Sequence, residues 1–243
     1  MSRYLILGAS SEVALAFMKA HAWSEDDEIT AQYFSHRDAL EALANEIPAN
    51  VLTRRADFLS EEGISEFTGF LRERDFVPTH ILHAPASPVR NARMTELEWG
   101  DFQGQLMIQV RSFFEVMKAV VKPMAKSGGG RVVVVLSSGT INVPPSYMSD
   151  YITAKYALMG LTKSLASEYA AKKILVNMIS PSMMETKFTA GIFSGVSERS
   201  AANNPMKRNA APNDAASLVE YLLSDNNTFI TGANIPVTGG EVF

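Results

Sequence analysis

The 243-residue chain contains no cysteine. Disulfides, thiolate nucleophiles and cysteine-ligated metals are therefore excluded. Histidine is scarce as well: His21, His36, His80 and His83 show no ligand grouping in the sequence, so no metal is implied. His80 and His83 stand three apart on a predicted strand and should face opposite sides. Neither sign of charge dominates. With 22 Lys and Arg against 26 Asp and Glu, the net charge of -4 leaves no basic footprint for nucleic acid. Long hydrophobic runs are missing too. The first apolar run, Tyr4 to Leu7, ends at Gly8, far too short for a secretory core or a membrane span. The expectation is a cytoplasmic protein with no membrane partner. What is present, 47% hydrophobic and 20% charged residues, is the mixture of a globular chain with one core.

Two periodicities alternate. Short apolar runs recur at Tyr4 to Leu7, Ile29 to Phe34, Val51 to Leu52, His80 to His83, Val132 to Leu136 and Ile174 to Ile179. Longer stretches with helical spacing lie between them. This order predicts βα units and a parallel sheet, an α/β Rossmann-type doubly wound domain of about seven strands filling residues 1–243. The all-apolar run from Val132 reads as a strand buried on both faces. The stretch from Asp101 to Lys126 predicts one long helix, bent by Pro123 in its last turn. Another helix is expected from Ser149 to Lys172, and a last one from Asp214 to Leu223. Pro236 suits an edge strand. The stretch from 186 to 209 reads as a substrate lid.

Strand, then Gly8-Ala9-Ser10-Ser11-Glu12-Val13-Ala14, then helix, is the order that turns backbone N–H groups toward a phosphate. Gly8, Ser10, Ser11 and Val13 are the candidate contacts. An ordinary turn with Ser11 as helix cap stands beside that reading. No acid lies between Ala31 and Arg37 to hold ribose hydroxyls. Ser35 and Arg37 stand there instead, and Arg37 favours the extra phosphate of NADP(H) over NAD(H). Asp57, with Phe58 beside it, follows the third strand and can bind an adenine amino group or cap the next turn.

Ser138 ends the Val132 strand, and Tyr151 and Lys155 follow on a helix, four residues apart and on one face. An ammonium beside a phenol favours the phenolate, so the expectation is a lowered Tyr151 pKa and an acid–base role. Spacing alone leaves open that these are ordinary surface or core residues. Together with the loop and the tail Pro236-Val237-Thr238-Gly239-Gly240, however, the pattern resembles the short-chain dehydrogenase/reductase family, especially its 3-oxoacyl-carrier-protein reductases. The resemblance covers Arg3 to Gly240. It implies hydride transfer between a nicotinamide dinucleotide and a ketone, with Ser138, Tyr151 and Lys155 catalytic and Gln109 in the place of a fourth catalytic asparagine. It also implies cofactor contacts from Ala84, Pro181, Met184 and Thr186, in addition to Tyr151 and Lys155. Family members commonly assemble as homotetramers, and a homodimer is the alternative.

Departures from the family pattern are plain. Glu12 and Ala14 replace glycines of the first loop, and His83-Ala84-Pro85-Ala86 replaces a segment rich in asparagine. The four-residue spacing from Tyr151 to Lys155 argues against the enoyl-carrier-protein reductase branch, where it is longer. Ile141, Pro145, Tyr147, Met148, Met183 and Phe188 are the candidate substrate contacts, an apolar and adaptable set. The resemblance implies a small-molecule or carrier-protein-bound carbonyl, generically a 3-oxoacyl thioester. Two other functions stay open: a fold-related epimerase or dehydratase, and a non-catalytic nucleotide-binding regulator or scaffold.

Overall fold

A computed structural model describes all residues except 187, 188, 190–194 and 243. Seven strands form one sheet: β1 (Arg3–Leu7), β2 (Glu28–Tyr33), β3 (Asn50–Arg55), β4 (His80–His83), β5 (Gly130–Val135), β6 (Ile174–Pro181) and β7 (Asn234–Val237). Their order is β3-β2-β1-β4-β5-β6-β7, and every pairing is parallel. Parallel strands need covered faces, and the central strands meet this with near-continuous apolar residues. Alternate residues feed two cores. Leu5, Leu7, Ile81, Val132 and Val134 pack on one face; Tyr4, Ile6, Leu82 and Val133 pack on the other.

Eight α-helices lie among the described residues. They are α1 (Glu12–Ala20), α2 (Arg37–Glu46), α3 (Glu61–Glu73), α4 (Trp99–Leu106), α5 (Ser112–Lys126), α6 (Ser149–Tyr169), α7 (Val196–Asn203) and α8 (Pro212–Leu223). Helix α3 was not legible in the spacing of apolar residues, although Ser60 caps it through its hydroxyl on the Gly63 N–H at 3.0 Å. The single helix expected over 101–126 is broken. A π-helical turn, Met107–Arg111, separates α4 from α5. Inside that turn the Gln109 carbonyl accepts a hydrogen bond from His83 Nε2 at 3.0 Å. A side chain bonding into the helical ladder is a physical cause of such a break. Pro123 stays inside α5 without ending it. Strand β7, which carries Pro236, lies at the sheet's edge as its missing N–H requires. The stretch expected to form a lid contains α7; its residues 187, 188 and 190–194 lie outside the described set. Among the described residues no helix is long and apolar enough to cross a membrane.

Candidate active site

Because all strands are parallel, their carboxyl ends share one edge, and the candidate residues fall along it. Gly8 follows β1, Ser35 and Arg37 follow β2, and Asp57 and Phe58 follow β3. Ala84 follows β4, Ser137 and Ser138 follow β5, and Pro181, Met184 and Thr186 close β6 or follow it. The strand order reverses between β1 and β4, the switch point at which such sheets bind ligands.

At that switch point Gly8 packs tightly. Its φ is +69°, and a Cβ there would stand 2.7 Å from the Pro85 nitrogen and 2.8 Å from the Ala84 carbonyl carbon. Only glycine fits both the conformation and the space. The Gly8 N–H donates to Gln32 Oε1 at 2.9 Å. Gln32 also accepts the Ala9 N–H on its main-chain oxygen at 2.8 Å and donates to the Ala56 carbonyl at 2.8 Å. This buried glutamine, which sequence reasoning missed, ties the first loop to β3. A polar residue inside an otherwise apolar strand was its only signal. Ser11 acts as the α1 cap, accepting from the Ala14 N–H at 3.3 Å. Glu12 opens α1, where an acid suits the helix dipole. Val13 follows it, buried in the first turn whose N–H groups have no intrahelical carbonyl to bond.

Further along the edge, Arg37 reaches Glu41 at 2.5 Å from an exposed position. Arg55, also absent from the sequence reading, stacks 4.8 Å from the Phe34 ring centroid at the end of β3. Asp57 accepts the Leu59 N–H at 2.9 Å, the capping alternative. The Phe58 side chain is not at the edge; it is buried against Phe67. Its apolar ring is worth more in the core than exposed beside a nucleotide.

Tyr151 and Lys155 are both buried on α6. Lys155 Nζ lies 5.5 Å from the Tyr151 ring centroid and donates to the Val135 carbonyl at 2.7 Å. The expected lowering of the phenol pKa is overturned. Burial raises it to about 12, opposed only by a hydrogen bond with Ser137. Desolvating a phenolate outweighs the nearby ammonium, because that ammonium is itself buried and pushed down to about 7. The phenol is thus held protonated at neutral pH. Ser137 hydrogen-bonds the phenol, and Ser138 beside it opens a 3-10 turn, Ser138–Thr140. Ser137 was overlooked because two serines adjoin at the strand end and only one has the family spacing.

Gln109 is fully buried, and its amide donates to Gln105 Oε1 at 2.7 Å. Through its carbonyl it joins His83, so the His83 segment, Gln109 and Lys155 belong to one buried region on the α5 face. Of the expected substrate contacts, Pro145 and Tyr147 are exposed and Ile141, Met148 and Met183 half-buried. Tyr147 takes a φ of 66°. Phe188 lies outside the described residues. Thr186 sits in a tight turn, its N–H donating to Thr189 Oγ1 at 3.1 Å.

A phenol and an ammonium thus follow the carboxyl end of β5 on α6, and Gly8 stands at the switch point of the sheet. A family model described as enoyl-(acyl carrier protein) reductase matches residues 8–241. The chain belongs to the short-chain dehydrogenase/reductase family of NAD(P)-dependent oxidoreductases. Dehydrogenase/reductase SDR family member 4 of Oryctolagus cuniculus is 36% identical over 149 residues, 60% of this chain and 56% of that protein. Acetoacetyl-CoA reductase of Allochromatium vinosum is 31% identical over 163 residues, 67% of this chain and 66% of that protein. The matches thus span about half to two thirds of these relatives. Levodione reductase superposes with a TM-score of 0.88 at 25% identity, covering 99% of this chain and 97% of that one. NAD+-bound xylitol dehydrogenase superposes with a TM-score of 0.84 at 28% identity, covering 98% of each.

Proposed function

We propose that the chain reduces a ketone to a secondary alcohol with NADPH, and that Tyr151 is the proton donor. The observation carrying this reading is the buried, protonated Tyr151 phenol with Lys155 Nζ 5.5 Å from its ring centroid, at the carboxyl edge of a parallel sheet. A nicotinamide dinucleotide supplies the hydride when bound. The residues present suit such a group. Gly8 leaves room at the switch point where any side chain would collide, and the first turn of α1 offers N–H groups to a pyrophosphate. Arg37, just after β2, and Arg55, at the end of β3, are cationic, which favours the extra phosphate of NADPH.

Tyr151 donates its proton to the substrate oxygen as negative charge develops there. Ser137 orients the phenol, and Ser138 is assigned a hydrogen bond to the same oxygen. Lys155, held by the Val135 carbonyl, stabilises the tyrosinate left behind. Gln109 fixes the inner end of the site through Gln105 and His83. The substrate we infer is a 3-oxoacyl thioester. The likeness to acetoacetyl-CoA reductase supports it, as do the half-buried apolar residues Ile141, Met148 and Met183. The four-residue Tyr151–Lys155 spacing favours this over reduction of a carbon–carbon double bond. The assembly we infer is a homotetramer or homodimer that covers Trp99, Phe114 and Tyr156, exposed on α4 to α6.

The test is fluorescence titration of the purified chain with NADPH and NADH, followed by turnover across ketones including acetoacetyl-CoA. The expectation is tighter binding of NADPH, a preference that falls about tenfold in Arg37→Ala, the size of one lost charge-assisted contact. Binding of neither dinucleotide would sink the reading.

A further inference from the structure

His83 is fully buried, and its Nε2 lies 3.0 Å from the Gln109 carbonyl oxygen. A carbonyl only accepts, so Nε2 must carry the hydrogen. Burial pushes the imidazolium down to about 3, so the ring is neutral at any working pH. A neutral imidazole has one N–H, which leaves Nδ1 with a bare lone pair. Among the described residues Nδ1 has no hydrogen-bond partner, and neither does the buried Oε1 of Gln109. Two acceptors in one buried region therefore lack a donor.

The donor is close. Lys155 spends one N–H on the Val135 carbonyl at 2.7 Å. His83 pairs with Val134, one residue earlier on the same strand. Lys155 also disfavours protonation of His83 by its charge, so the two groups are within electrostatic reach. Both lie on the face packed by α5, where the His83 ring stands 4.9 Å from that of Phe113. Buried titratable groups on the elements around Lys155 are Tyr151 and Asp150 in the first turn of α6 and His83 on β4. The buried residues of α4, the π turn and α5, Gln105, Gln109, Ser112 and Phe113 among them, are all neutral. Buried polar groups are almost always satisfied, and a water with two or more partners is the usual means.

We infer that His83 is a positioning residue for Lys155: its Nδ1 accepts a hydrogen bond, through one buried water, from the Lys155 ammonium. This acceptor holds Lys155 charged behind the phenol. The inference deepens the reductase reading and depends on it only for the effect on turnover. It also gives the departure at His83 a chemical role besides bracing the π turn.

Two substitutions separate the ring's nitrogens. Asparagine places an acceptor near Nδ1 but loses the Gln109 contact. Glutamine places a donor near Nε2 but loses the Nδ1 acceptor. The experiment follows the Lys155 titration by NMR of isotope-labelled lysine, assigned with Lys155→Met, alongside melting curves and pH–rate profiles. In His83→Gln the Lys155 midpoint should fall by about one pH unit with Tm preserved, and kcat at pH 8 should drop about tenfold. His83→Asn should keep the midpoint and melt lower. An unchanged midpoint in His83→Gln overturns the inference and leaves His83 a brace. A chain that reduces no ketone refutes the reductase reading, while the midpoint still decides this one. If His83→Gln does not fold, a high-resolution crystal structure of the unaltered chain decides. A water bonded to both Nδ1 and Nζ supports the inference, and a dry contact overturns it.

Discussion

The two edges of the sheet carry similar side chains in opposite states. At the amino edge, Tyr4, His21, Trp23 and His80 form an aromatic cluster, with Tyr4 stacked 4.4 Å from His80. Its polar atoms are satisfied. The Tyr4 hydroxyl meets His21 Nε2 at 3.2 Å, His21 Nδ1 meets Glu220 at 2.7 Å, and Trp23 Nε1 donates to the Met18 carbonyl at 2.7 Å. At the carboxyl edge, Tyr151, His83, Gln109 and Lys155 are as deeply buried, yet His83 Nδ1 and Gln109 Oε1 are left unmatched among the described residues. Desolvation raises the tyrosine pKa at both edges. Only the carboxyl edge adds a buried lysine. A closed network holds elements together, here α1 to α8 through His21 and Glu220. An open one leaves acceptors for water beside a group that must titrate. The difference in satisfaction, together with the buried lysine, marks the chemical edge.

Matched substitutions sharpen this contrast. Tyr151→Phe should lower kcat about a thousandfold with Tm almost unchanged, within the range for loss of a general acid. Tyr4→Phe should leave kcat within twofold and destabilise by about 1 kcal/mol, the net worth of a hydrogen bond. Steady-state kinetics and thermal melts of both variants check the pair, and equal kinetic losses would erase the distinction. Next in size is Gly8→Ala. A φ of +69° and a clash with Pro85 should cost about 1–3 kcal/mol and weaken dinucleotide binding about tenfold. Denaturant titration and fluorescence titration measure the two effects.

A smaller effect is in pH. Lys155 is charged below about 7, so the reduction rate of the unaltered chain should fall as pH rises through that value. Its contribution to stability runs the other way. The folded pKa of about 7 lies below the ordinary lysine value of 10.5, so the unfolded chain binds more protons between them. Stability from this group should therefore rise across that window, as denaturant melts at several pH values would record.

Much of the fold was legible in the sequence. Parallel strands announce themselves as apolar runs, and Val132 to Val135 could hardly be anything else. Where the reading fell short, the cause was tertiary. The break at Met107–Arg111 depends on a histidine from β4, which helical periodicity within 101–126 does not contain. The role of Gln32 depends on the course of the first loop past the end of β2. At the site, Tyr151 and Lys155 could be paired from their spacing, but their proton affinities could not. An ammonium lowers a phenol's pKa only if it keeps its own charge, and burial of both groups reversed the expected direction. The hydrogen bond from Tyr151 to Ser137 was concealed by the adjacent serine, which alone has the family spacing.

The most direct test of Tyr151 as proton donor to a hydride acceptor follows label rather than rate. NADPH carrying deuterium at the transferable C4 position is incubated with the chain and the best ketone of the panel. The account predicts deuterium on the carbinol carbon of the alcohol, and its loss to near background over the same time in Tyr151→Phe. Alcohol formed without the label, or labelled equally by the phenylalanine variant, would contradict it.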